Sequence, residues 1–461
     1  MAASIITTMR AVVNMEPVVF SIMFALSTTM TVRVQYIQNM VGNSYNYTRR
    51  NTSDCAVNTS DPNYKLGQIV NSEVSYWLLY FQALSAALTL FSGTLLGSYS
   101  ERGGGRKVPL LIPLVGFTFY VFSSLVVMYF GLPLQYFFIS EVIRGITGNV
   151  YTIFAMSCAY VSDISSKGSR TFRLIVLETF LFLGGTISQI STGYWIELQG
   201  FIPPTWLAYG LMIFSVFFVI LWVDETMTIP KQTTWNIQKQ FVDVARLFTK
   251  STMNTSIELT LILLGMFVIF VVIGSSVSIT MLYILNPPFC FTSVLVGYYQ
   301  AILCLSNAIG LILGGKLLSC VLGDLGMAQT GLVSQGVSNV ILALASSNAM
   351  IFIAGAAALF TSLSLPVLRS RLSKLYGPGK QAVLFTLLGC VQGLGECFAP
   401  LVFNSIYSAT VEKMPSFVFY TYALILIVPA SLIGMVQIRQ YRQSRDIIEV
   451  PTINDDASNS W

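Results

Sequence analysis

Twelve apolar segments, each about as long as a bilayer is thick, constrain this chain more than any other feature. They lie near 16–38, 75–98, 108–130, 137–160, 172–196, 204–224, 257–282, 294–318, 327–346, 349–368, 381–404 and 416–438. Each holds about 20 residues or slightly more, enough for a helix to cross about 30 Å of hydrocarbon. A backbone in lipid must satisfy its own polar groups, so the segments are read as helices. Charge agrees: only 10% of the 461 residues are charged and the mean hydropathy is +0.70. A soluble domain carries about 25% charged residues. The expected fold class is therefore an all-α membrane protein with twelve transmembrane helices. The first run, from Pro17, is long and is not followed by a small-residue cleavage site, so it reads as a span rather than a signal peptide.

Lys and Arg orient the spans. With the N-terminus placed inside, nineteen of the 25 basic residues fall in inside segments and four (Arg49, Arg50, Lys65, Lys413) in outside loops. Arg33 and Arg144 lie within spans. The asymmetry predicts cytosolic termini. The net charge of +5 is spread through short loops, which points to a lipid bilayer and not to nucleic acid. The longest inside loop, 225–256, divides the chain into halves of six spans, 16–224 and 257–438, after a cytosolic N-terminus at 1–15. The polar tail at 439–461 is expected to be disordered.

The loop at 39–74 is then outside. It carries three N-x-S/T sequons, at Asn46, Asn51 and Asn58, expected to be glycosylated. It also holds Cys55, and the outside loop after the seventh span holds Cys290. Two cysteines in oxidising loops can pair and would tie the two halves together there. The alternative is two free thiols. The other five of the seven cysteines fall within or at the ends of apolar runs.

No histidine occurs anywhere. That excludes a Ser–His or Cys–His nucleophile pair and a histidine-ligated metal site. No enzyme, metal or cofactor is expected. Attention moves instead to ionisable groups inside apolar runs, which are costly there and suggest function. Glu178 stands alone in the fifth run, just beyond the basic stretch at 169–173. It either carries protons or bonds a neighbouring helix. Glu141 and Arg144, three residues apart in span four, can pair on one helix face or serve a cavity. Glu396 lies in span eleven, as a second proton site or a local adaptation. Arg33 sits near the outer end of span one, where it can snorkel or attract an anionic solute.

Two loops between spans carry motifs. The first, between spans two and three, runs from Gly97 through Glu101 and Arg102 to Arg106. It resembles the inter-helix signature of the major facilitator superfamily: a glycine, an acid four residues on, a base, a glycine, then two bases. This copy has Glu for the usual Asp and one extra glycine. Such an acid can latch to a base or helix N-terminus in the other half and shut the inner face. The second loop, between spans four and five, holds Asp163, Arg170 and Arg173, and its counterpart in the second half is again basic, as in repeat-built transporters. The seven residues are the expected cytosolic gate. The alternative for the first loop is an ordinary positive-inside loop.

Several segments in the same order resemble solute carrier family 46, the proton-coupled folate transporter family. They are Glu16-Pro17, SGTLLG at 92–97, DISSKGSRTFRLIVLE at 163–178, PVLRSRLSKL at 366–375, FNSIYSAT at 403–410 and Cys290 within NPPFC. The resemblance runs from about 16 to about 438. It implies a major facilitator fold, proton coupling at Glu178, solute handling at Arg369 and a Cys55–Cys290 bridge. Two family features are replaced. Asn149 follows Gly148 where the folate transporter has an acid, and Ile273 stands where it has a histidine. Both positions look more like a lysosomal solute transporter of the same family.

The expectation is a secondary active transporter that moves a small organic anion with protons, in the plasma or lysosomal membrane. Glu178, Glu141 and Glu396 are the proton-coupling candidates. Arg369, Arg144 and Asn149 are the solute-binding candidates. A solute-sensing receptor on a transporter scaffold, without net flux, is the alternative.

Overall fold

A computed structural model describes residues 14–47, 55, 62–100, 105–165, 170–226, 253–375 and 381–448. Glu101, Arg102, Asn51 and Asn58 lie outside these residues, as does most of the 225–256 linker. Helix is found in all twelve expected segments, and no strand occurs among the described residues. Nine of the described helices are long and apolar enough to cross a membrane by length and composition.

Spans one to three are Glu16–Ser44, Pro62–Tyr99 and Lys107–Tyr129. Spans five to seven are Arg170–Gln199, Ile202–Trp222 and Met253–Leu285. Span eight is Ser293–Leu313, continued by a π-turn at Gly314–Leu318. Span nine is Asp324–Ala343 and span eleven Gln381–Thr410.

Three segments read as continuous are broken. Span four divides into Phe137–Thr147 and Asn149–Ile164. Gly148 and Asn149 both have positive φ, 108° and 60°. Glycine reaches that region freely and Asn tolerates it, so the chain can turn here without a proline. Span ten divides into Asn348–Ala357 and Ser364–Leu375, joined by a 3₁₀ turn at Thr361–Leu363. Span twelve comprises Phe417–Ile425 and Ile427–Ile448. Its second helix corrects the expectation of a disordered tail beginning at 439. No glycine or proline interrupts the chain between Met435 and Ile448, so nothing stops the helix at the membrane boundary.

The helices pair as a pseudo-two-fold arrangement. Span one packs on spans five and six, and span seven packs correspondingly on spans eleven and twelve. The N- and C-terminal sets of six meet chiefly where span two crosses span eleven and span five crosses span eight. The second crossing depends on glycine. A Cβ on Gly297 would lie 2.5 Å from the Gln189 carbonyl oxygen, and one on Gly193 would lie 2.7 Å from that of Ser293. Small residues let membrane helices approach this closely.

The two ends of the bundle are held differently. At one end, bonds cross between the sets of six. Asn286 Nδ2 donates to Asn71 Oδ1 at 2.7 Å, Ser293 Oγ to Gln35 Oε1 at 2.7 Å, and Ser75 Oγ to the Asn404 carbonyl at 3.1 Å. The disulfide between Cys55 and Cys290 joins the same end, with Cα atoms 5.9 Å apart. At the other end, which carries the 225–256 connection, each ion pair among the described residues stays within one set. Arg106 Nε meets Asp163 at 2.8 Å and Arg173 Nη2 meets Glu16 at 3.4 Å. Arg371 Nε meets Glu258 at 3.0 Å and Lys374 Nζ meets Asp324 at 2.7 Å. The bundle is thus bonded shut at the disulfide end.

Candidate functional site

A cavity of about 330 Å³ lies between spans four, five, seven, eight, nine and ten. Its lining includes apolar side chains such as Phe154, Phe182 and Ile273. Amides and hydroxyls are mixed with these, including Gln300, Asn307 and Asn339 from spans eight and nine. The break in span ten places Thr361 and Ser362 on the cavity. An unwound turn presents polar groups that a continuous helix would keep to itself. Two of these groups are unsatisfied: Gln300 Nε2 and Thr361 Oγ1 are buried without a hydrogen-bond partner. A buried donor left unpaired costs about 1–3 kcal/mol, so a hydrogen-bonding solute would be favoured here.

Glu178 and Arg369 both line this cavity. They come from opposite sets of six, and each acts electrostatically on the other. Arg369 Nη2 donates to Gln392 Oε1 at 3.0 Å, and its guanidinium lies 5.8 Å from the Phe270 ring centroid. Glu396 is set back from the cavity. Its Oε1 accepts from Gln392 Nε2 at 2.9 Å.

The remaining charged candidates gather elsewhere. Glu141 is fully buried and bonded to Arg33 of span one, and it meets Arg144 Nη2 at 2.8 Å. Arg33 also donates to the Tyr120 hydroxyl at 3.0 Å and sits 4.6 Å from the Phe81 ring centroid. Arg144 Nε donates to Ser85 Oγ at 3.0 Å. This cluster is walled by aromatics and does not line the cavity. Nor does Asn149, which is buried at the break in span four. Its Oδ1 accepts from the Val150 amide at 2.7 Å and so closes the turn locally.

Among the expected gate residues, Arg106 and Asp163 are brought together, and Arg173 pairs with Glu16 rather than with either. Gly97 lies in the last turn of span two, where a Cβ would meet nothing within 4 Å, and Arg170 begins span five. Asn46 follows span one in a turn with positive φ.

Sequence reasoning missed Gln300, Thr361 and Gln392. The signal for the first was an amide in the apolar run of span eight. For the last it was a spacing of four from Glu396, which puts both side chains on one helix face.

A sequence model described as Major Facilitator Superfamily matches residues 17–400. The proton-coupled folate transporter of Rattus norvegicus is 32% identical over 425 residues, covering 92% of this chain and 91% of the relative. This chain belongs to the major facilitator superfamily, in solute carrier family 46. The superfamily assignment makes it a membrane transporter and not an enzyme. A second family relative is the lysosomal proton-coupled steroid conjugate and bile acid symporter SLC46A3 of Bos taurus. It is 30% identical over 429 residues, 90% of this chain and 92% of the relative. Solved structures show the same superfamily fold. The human organic anion transporter MFSD10 (TETRAN) aligns with a TM-score of 0.63 at 15% identity, over 91% of this chain and 100% of that one. The POT family transporter PepTSo aligns with a TM-score of 0.61 at 12% identity, over 92% and 98%.

Proposed function

We propose that this transporter is a symporter that moves a small amphipathic organic anion together with protons. The observation that carries the proposal is the sharing of one cavity by Glu178 and Arg369. In a low-dielectric site a single cation can neutralise the carboxylate or a solute anion, but not both. A proton on Glu178 releases Arg369 for the anion, and loss of that proton reclaims it. Proton and anion therefore enter and leave as a pair. The named substrates of the relatives, folate, steroid conjugates and bile acids, suit a cavity whose lining mixes apolar side chains with hydrogen-bonding ones. Glu141, Glu396, Arg144 and Asn149, the other expected site residues, do not line this cavity and take no direct part in proton or solute binding in this reading.

The moving bodies in this reading are residues 16–224 and 257–438, linked by 225–256, and they rock about the cavity. Gly97, Glu101, Arg102, Arg106, Asp163, Arg170 and Arg173 act as the cytosolic gate, and the Arg106–Asp163 and Arg173–Glu16 pairs each stay within one body. Basic residues put both termini in the cytosol. The disulfide and the sequons at Asn46, Asn51 and Asn58 then face the exterior of a plasma membrane or the lumen of a lysosome. The transporting relatives favour this reading over a receptor without flux.

Uptake by the purified chain in proteoliposomes tests it. An inward proton gradient is expected to drive accumulation of tritiated folate or a tritiated bile acid, and a protonophore to abolish it. Binding without accumulation would support the receptor instead.

A further inference from the structure

Arg369 is held from behind. Gln392 and Glu396 are one helical turn apart on span eleven and form a chain of two hydrogen bonds that ends on the guanidinium. The chain has a direction. Arg369 can only donate, so the amide oxygen faces its Nη2 and the amide nitrogen is left to donate to Glu396 Oε1. Glu396 is fixed in turn by close helix packing. A Cβ on Gly274 of span seven would lie 3.5 Å from Glu396 Cα, and one on Gly395 would lie 2.5 Å from Phe270 Cβ. The same packing brings the Phe270 ring beneath Arg369. Arg144 and Tyr151 of span four and Arg369 itself bear on Glu396 electrostatically.

A guanidinium is a rigid planar fork, best used when one edge is anchored and the other meets an oxyanion with two parallel bonds. We infer that Gln392 and Glu396 are a positioning arm for Arg369, which holds one edge of the fork so that the other is presented to the solute's anionic group. Gln392 acts directly on Arg369, and Glu396 acts by orienting Gln392. The arm sets affinity and leaves the moving bodies untouched. The inference rests on the reading of Arg369 as the anion site.

The test is equilibrium binding and initial-rate uptake of tritiated folate and a tritiated bile acid by the purified full chain. The variants are Gln392→Leu, Glu396→Leu, Glu396→Gln and Arg369→Ala. Losing a bond to a charged group is worth about tenfold, so Gln392→Leu and Glu396→Leu are expected to weaken Kd by about that factor with Vmax nearly unchanged. Glu396→Gln keeps an acceptor in place and is expected to bind like the unmodified chain. That rescue also shows that the position tolerates change without misfolding. If Arg369→Ala weakens binding while Gln392→Leu and Glu396→Leu do not, the arm is overturned and the anion site stands. If Glu396→Gln is as damaging as Glu396→Leu, the charge of Glu396 and not its orienting bond matters, and the arm is again overturned. If Arg369→Ala itself leaves Kd unchanged, the anion-site reading fails and takes the arm with it.

Discussion

Two buried charge clusters lie in this bundle, built from the same residue types and surrounded in opposite ways. In the first, Glu141 is enclosed between Arg33 and Arg144 and walled by Phe81 and Tyr120. In the second, Glu178 and Arg369 line one cavity, together with Gln300 and Thr361, whose Nε2 and Oγ1 have no hydrogen-bond partner. The first is packed among aromatic rings off the cavity, and Arg33 Nε, Arg33 Nη2 and Glu141 Oε2 lack hydrogen-bond partners there too. The second opens on a space that a solute can fill. An ionisable residue within a span is therefore a weak guide to function until its partners and its access to space are known.

The contrast breaks most visibly at Glu141. Glu141→Leu leaves two arginines buried without their carboxylate, a loss of about 3–5 kcal/mol. The expected outcome is loss of monodisperse protein on gel filtration. A folded, transporting Glu141→Leu variant would erase the distinction between the clusters. Arg369→Ala should act on the solute instead. The chain is expected to fold normally and to bind an organic anion about 2–5 kcal/mol more weakly, read as Kd by equilibrium binding. The smallest effect is at the break in span four. Asn149→Ala places a Cβ-bearing residue without a local hydrogen bond at φ 60°, costing about 1–2 kcal/mol. Asn149→Gly should be close to neutral in thermal unfolding and in uptake. An uptake defect in Asn149→Gly that leaves stability unchanged would return Asn149 to the solute site.

The architecture was legible because it is written in length and apolarity, which the membrane enforces along the whole chain. Twelve runs gave twelve helical segments. The breaks at Gly148 and at 358–363 were not legible, because hydropathy averages over a window and passes smoothly across a turn. Glu178 was found because a charge in an apolar run is conspicuous, whereas Arg369, just past the run at 349–368, was found only through the resemblance of 366–375 to the family. Gln300, Thr361 and Gln392 were overlooked because uncharged polar residues are common in spans and usually bond their own helix. Only the fold shows which of them face empty space. Charge alone also grouped Glu141 and Arg144 with Glu178, whereas Arg33, distant in sequence, closes their cluster through a contact no spacing reveals.

The central claim is that Glu178 ties proton movement to solute movement through Arg369. Counterflow and proton-driven accumulation, measured on the same Glu178→Gln proteoliposomes, test it most directly. A permanently neutral side chain leaves Arg369 free for the anion, so exchange of internal for external solute should persist. Accumulation against a gradient should be lost, and uptake should no longer respond to pH. Concentrative uptake that survives in Glu178→Gln at its usual pH dependence would contradict the account.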